Sequence, residues 1–179
     1  MGNREWGTGN GGQESAARPA FAPDVPLPFP VPHSPPQNAM RADFYLIAKP
    51  RFREQPLLLV CELARKACDA GQPVLLLARD VAQAEQLDDL LWSFDPDAFI
   101  PHQIAGEDAD EEEAAVLIAA PEHDAAMRPL VINLRDEPVD GTFERVLEVV
   151  PADESARGPL RERWKQYQAR GLDVKKHDM

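Results

Sequence analysis

The sequence predicts one α/β domain, built on a mainly parallel sheet with helices on both faces. Three observations predict it. Short apolar runs of strand length alternate with segments of helical periodicity. Gly71 closes the first predicted helix, and Asp80 is a capping residue at the start of the second. The length of 179 residues, 44% of them hydrophobic, suits a single core plus a modest extension.

The extension is the segment 1–39, which holds eight of the 18 prolines and five of the ten glycines. Proline lacks an amide donor, and the segment has too little apolar area to offset the entropy of ordering it, so we expect it to be disordered. Three interpretations remain open: a tail with no role of its own, a polyproline-type ligand, or an upstream start with Met40 as the working start codon. The folded domain is predicted from 40 to 179.

The first predicted unit is a strand at 43–48 followed by a helix at 56–70, which Gly71 closes. The helix carries apolar residues at helical spacing, and two of them are the chain's only cysteines. Small thiols two turns apart on one face are typical of core packing, and the lack of other cysteines favours a reducing cytoplasm. The apolar positions are Leu57, Val60, Cys61, Ala64 and Cys68.

The second unit repeats this order. The run 74–78 is predicted to be a fully buried strand, and Asp80 is the predicted N-cap of a helix. The inner face of that helix is predicted at Val81, Ala84, Leu87 and Leu91. Later strands are predicted at 98–101, 115–119, 130–134 and 145–150, and a last helix at 153–170.

The residues offer no assembled catalytic, cofactor or metal site. The segment 49–54 after the first strand has no glycine, and the chain contains neither a phosphate-loop motif nor the glycine fingerprint of dinucleotide-binding folds. The four histidines are scattered, with no pair at ligand spacing on one helix. No serine stands in the context of a catalytic nucleophile. These absences favour a binding module over an enzyme.

Charge is unevenly distributed along the chain. The formal net charge is -12, which disfavours nonspecific binding to nucleic acid. The segment from 157 to 176, however, contains seven basic residues and only two acidic ones. A cationic segment in an acidic protein indicates a binding surface for a negatively charged partner.

Two constellations are candidates for such binding. Trp92 and Phe99 lie around a predicted helix end, where they either form a docking surface or cap the edge of the core. Arg161, Trp164 and Lys165 share one face of the last helix. That face suits a peptide with carboxylates and an apolar end, and equally a single-stranded nucleic acid; it also fits a solvated helix whose tryptophan packs on the sheet.

Five segments, taken in order, resemble the chi subunit family of DNA polymerase III, and the resemblance covers about 40 to 179. The stretch from Leu-Trp at 91–92 to Pro-His-Gln-Ile-Ala-Gly-Glu at 101–107 is its most specific part. Trp164 stands where many relatives carry tyrosine. The segments are 43–46, 60–64, 87–92, 99–107 and 161–167.

The resemblance implies a nucleotide-binding-like, Rossmann-like fold without a phosphate loop, and a non-catalytic accessory subunit. It implies that Trp92 and Phe99 bind the psi subunit, giving a heterodimer rather than a homo-oligomer. It further implies that the acidic tail of single-stranded DNA-binding protein is held by Val150, Arg161, Trp164 and Lys165, so that nucleic acid is reached only indirectly. Two alternatives remain: a nucleotide-binding enzyme with an unconventional phosphate loop, and a direct single-stranded DNA binder.

Overall fold

The structure is a computed structural model that describes residues 39–106, 109–110 and 112–179. The predicted extension, 1–39, therefore lies outside the described residues except for Ala39. The elements are β1 (Arg41–Leu46), α1 (Pro50–Glu54), α2 (Pro56–Asp69), β2 (Val74–Leu77), α3 (Val81–Ser93), β3 (His102–Ile104), β4 (Val116–Ala119), β5 (Leu130–Asn133), β6 (Arg145–Val150), a 3₁₀ turn (Glu154–Ala156), α4 (Arg157–Ala169) and β7 (Asp173–Asp178).

The seven strands form one sheet in the order β3-β4-β2-β5-β6-β1-β7, and every pairing is parallel. The central strands are short aliphatic runs buried on both faces, as parallel sheets covered by helices require. The edge strands are β3 on one side and β7 on the other. The predicted α/β class is confirmed.

Helices cover both faces of the sheet. Phe52 of α1, Leu59 of α2 and Leu87 of α3 belong to the hydrophobic cluster on one face. Leu160 and Tyr167 of α4 belong to the cluster on the other. Among the described residues, no helix has both the length and the apolar character needed to span a membrane.

Local signals correctly predicted where α2 ends and where α3 begins. Gly71 follows α2 with φ of 69°, a left-handed conformation that glycine adopts without strain. The side chain of Asp80 accepts a hydrogen bond of 2.7 Å from the Gln83 amide, which confirms it as the N-cap of α3. Val81 was wrongly assigned to the inner face, since it is exposed in the first turn.

The strand β1 begins and ends two residues earlier than predicted, and three further elements differ from the sequence prediction. The strand predicted at 98–101 is wrong, since none of these residues is in a strand and β3 is His102–Ile104. Pro101 has no amide to donate, and only its carbonyl joins the ladder, accepting from Val116. The short helix α1 and the last strand β7 were not predicted. The sequence of β7, 173–178, is polar and lacks the apolar run that predicts a strand. It is extended because its backbone pairs with β1.

Candidate functional site

A groove of about 470 Å³ lies between helix α4 and the edge strand β7. Its floor is the sheet surface of β1 and β6, where alternate residues point toward α4. The groove is lined by Phe44, Leu46, Val150, Arg157, Leu160, Arg161, Trp164 and Lys176. The structure thus brings together three of the four predicted tail-binding residues, Val150, Arg161 and Trp164.

Trp164 forms the aromatic wall of the groove. Its ring packs on Phe44 with 4.9 Å between centroids and 49° between planes. The residue is only half-buried, so part of the indole remains available to a ligand. Packing on the sheet and exposure to the groove, which the sequence left as alternatives, therefore occur together.

The polar rim of the groove is cationic. Arg157 and Arg161 come from α4, where spacings of three and four residues place them on the side of Trp164. Arg157 pairs with Glu154 across 3.5 Å, on the surface. Lys176 approaches from β7.

Lys165 lies elsewhere on α4. Its ammonium is 2.8 Å from the Glu162 carboxylate, both side chains are exposed, and Lys165 is not among the residues that line the groove. Helical spacing alone predicts that Lys165 shares a face with Arg161 and Trp164. In the structure the Lys165 ammonium points toward Glu162 on the outer surface of α4, and not into the groove.

A buried polar network fixes the orientation of α4. The carboxylate of Glu148 on β6 accepts hydrogen bonds from Arg163, from Asn133 over 3.0 Å and from the Tyr167 hydroxyl over 2.8 Å. Tyr167 in turn accepts from the Val139 amide at 2.9 Å. Burial raises the pKa of Glu148 and that of Tyr167. Because Arg163 and Tyr167 point into the protein, Arg161 and Trp164 are turned to the groove.

Trp92 and Phe99 form a second surface, at the other edge of the sheet. They are 62% and 76% exposed, and their ring centroids are 6.4 Å apart. Trp92 also contacts the ring of His102 on the edge strand β3, at 5.0 Å. These two rings therefore extend outward and do not cap the edge of the core, which was one of the two interpretations that the sequence left open.

The carboxyl ends of the strands, where open α/β sheets commonly bind ligands, hold an arginine. Arg135 follows β5, and its guanidinium donates to the carbonyls of Ala78 at 3.1 Å and Ala119 at 3.0 Å. In the part of the chain that the structure describes, no group of three or more histidine, cysteine or acidic side chains could hold a metal ion. Burial raises the pKa of Cys61 to about 12, so this thiol stays protonated at neutral pH.

The family model and the curated relatives that this chain matches all belong to one protein family. The sequence from 40 to 175 matches the family model described as DNA polymerase III chi subunit, HolC. The chain is 39% identical over 141 residues to DNA polymerase III subunit chi of Pseudomonas aeruginosa, covering 76% of this chain and 95% of the relative. It is 35% identical over 119 residues to the same subunit of Escherichia coli, covering 65% and 80%.

Solved structures share the fold at low identity. The C-terminal domain of the DEAD-box protein Dbp5 aligns with a TM-score of 0.54 and 12% identity, over 79% of this chain and 91% of that one. The T4 protein UvsW aligns with a TM-score of 0.55 and 8% identity, over 80% and 42%. These similarities describe the architecture of the sheet and its helices alone.

Proposed function

The chain belongs to the DNA polymerase III chi subunit family, a polymerase subunit in DNA replication, and we propose that it is an adaptor with no catalysis of its own. One surface binds the psi subunit and so joins the clamp loader. The other holds the acidic C-terminal tail of single-stranded DNA-binding protein. The protein acts in the cytoplasm as a heterodimer with psi.

The observation that carries this proposal is the groove between α4 and β7. Phe44 and Val150 on its floor and the ring of Trp164 on its wall form an apolar surface that an aromatic end group can pack against. Arg157 and Arg161 offer charge-assisted contacts to neighbouring carboxylates. A peptide that is acidic and ends in phenylalanine matches both parts, and we keep Lys165 as an outer contact for its more distant acidic residues.

The placement of the two surfaces supports bridging. Trp92 lies against the edge strand β3, whereas the groove is bounded by the opposite edge strand β7. Partners bound at opposite edges of one sheet do not compete for space. Large exposed rings such as Trp92 and Phe99 are the side chains that most often dominate a protein interface.

A tether of this kind works with modest affinity. A peptide contact of roughly micromolar strength corresponds to about 8 kcal/mol. Several tails around one polymerase assembly raise the local concentration, so the contact is remade quickly after each dissociation. Its charged component weakens as salt screens the exposed arginines.

A calorimetric titration with two peptides tests the proposal. The first is an acidic peptide that ends in phenylalanine, and the second differs only by alanine at the end. We expect roughly micromolar binding of the first and at least about tenfold weaker binding of the second, since the apolar surface is then uncovered. Equal affinities would show that charge alone binds the peptide, and the absence of binding would remove the tail as a partner.

A further inference from the structure

The edge strand β7 presents different side chains to the two faces of the sheet. Val174, Lys176 and Asp178 alternate with Lys175 and His177, and side chains of a strand alternate in direction. His177 faces away from α4, since its ring lies 2.7 Å from the Asp43 carboxylate and stacks on Tyr45. Lys175 shares that face by alternation.

Lys176 lies on the α4 side of the sheet. It is in register with Phe44, the residue on which Trp164 packs, and it lines the groove. Its ammonium is 3.4 Å from the Asp178 carboxylate, and both side chains are more than half exposed. An exposed pair of this kind is worth little, so an incoming carboxylate can replace Asp178.

The groove therefore has cations on two walls. Arg157 and Arg161 form the helix wall, and Lys176 forms the strand wall across the apolar floor. A peptide whose aromatic end packs against the groove side of Trp164 and the apolar floor would have its backbone running between these walls. Carboxylates on either side of that backbone then meet a positive charge.

We propose that Lys176 is a specificity-determining residue of the groove, which binds acidic side chains of the peptide from the strand side while α4 binds them from the helix side. This inference rests on the proposed function, and it adds to the peptide site a residue that lies on strand β7 and not on helix α4. It makes the number of acidic residues near the peptide's end, and not their presence alone, a determinant of affinity.

A pair of matched variants in the full chain tests it, Lys176→Gln and Lys175→Gln. Both variants remove one positive charge from β7, and both lysines pair with an aspartate two residues away. The two variants therefore change the net charge and the stability of the strand alike, and a difference in affinity between them reports on the groove. We expect Lys176→Gln to weaken binding of the acidic, phenylalanine-terminated peptide about threefold and to reduce the salt dependence, with Lys175→Gln close to wild type.

Equal affinities of the two variants would overturn the inference. The variant Trp164→Ala, titrated beside them, separates that outcome from failure of the proposed function. If Trp164→Ala strongly weakens binding while Lys176→Gln equals Lys175→Gln, only the role of Lys176 is lost. If Trp164→Ala binds the peptide as wild type does, the groove is not the peptide site and both proposals fail.

Discussion

Trp164 on α4 packs against Phe44 on β1, with 4.9 Å between the ring centroids. This contact joins the last helix to the first strand and gives the groove an aromatic wall of fixed position. A ring held in this way loses little entropy when a ligand binds, because its rotamer is already restricted.

Arg161 is predicted to supply charge to peptide binding. Arg161→Ala should weaken binding of an acidic peptide about three- to tenfold and reduce the dependence of affinity on salt. Lys165→Ala should weaken it less, because Lys165 pairs with Glu162 outside the groove. Dissociation constants measured at several salt concentrations check both; an Arg161→Ala variant that matches wild type at low salt would exclude Arg161 from the site.

The exposed rings at the other edge are predicted to bind psi. Trp92→Ala or Phe99→Ala should reduce co-purification with psi and leave peptide affinity unchanged, because these rings lie away from the groove. Val81→Ala is the matched control, an exposed apolar residue at the other end of α3. Normal recovery of psi with both aromatic variants would contradict the assignment.

The hydroxyl of Tyr167 is predicted to stabilise the fold. Tyr167→Phe leaves the Val139 amide without its acceptor and Glu148 with one donor fewer, both in the interior. The free energy of unfolding should fall by about 1 to 3 kcal/mol. Tyr45→Phe, which removes a half-buried hydroxyl that accepts from Arg145, should cost less. Urea unfolding measures the difference, and equal losses in the two variants would argue against the network.

Asp43 is predicted to make stability depend on pH. Burial acts to raise its pKa, but hydrogen bonds from His177, Arg41 and Arg145 together hold the pKa below its ordinary value. The unfolded chain therefore binds the proton more tightly than the folded one. The stability that Asp43 contributes is complete above the ordinary pKa of about 4 and is lost as pH falls through the lower folded value.

The matching variant is Asp43→Asn. At pH 7 it should be about 2 kcal/mol less stable than wild type, because three donors lose a charged acceptor. The gap should narrow as the pH falls from about 5 toward 2, when wild-type Asp43 takes up its proton. Denaturant unfolding at several pH values checks this, and a gap that stays constant would show that the charge of Asp43 contributes nothing.

The sequence predicts the fold correctly where the conformation of a segment is set by its own residues, such as a buried apolar run or a helix-capping side chain. Apolar runs marked the buried strands β2, β4 and β5, and Asp80 and Gly71 marked helix ends. The strand β7 was not readable, because its polar sequence resembles a solvated tail and only the pairing with β1 orders it. The position of β3 was not readable either, because it depends on which backbone groups pair with β4, and the spacing of apolar residues does not reveal that.

The site was readable in part for a similar reason. Helical spacing placed Arg161 and Trp164 together, but it could not show that Arg163, between them, is buried against Glu148. Spacing also made Lys165 a neighbour of Trp164, although Lys165 pairs with Glu162. Lys176 was counted only as one charge in a basic segment, since its place in the groove depends on strand β7.

A titration of one acidic, phenylalanine-terminated peptide into wild type, Trp164→Ala and Trp92→Ala shows directly whether the groove is the peptide site. Each variant loses one partly exposed indole, but only Trp164 lines the groove. We expect wild-type affinity for Trp92→Ala and about thirtyfold weaker binding for Trp164→Ala, the loss typical of a central aromatic contact. Unchanged affinity in Trp164→Ala would contradict the groove as the peptide site.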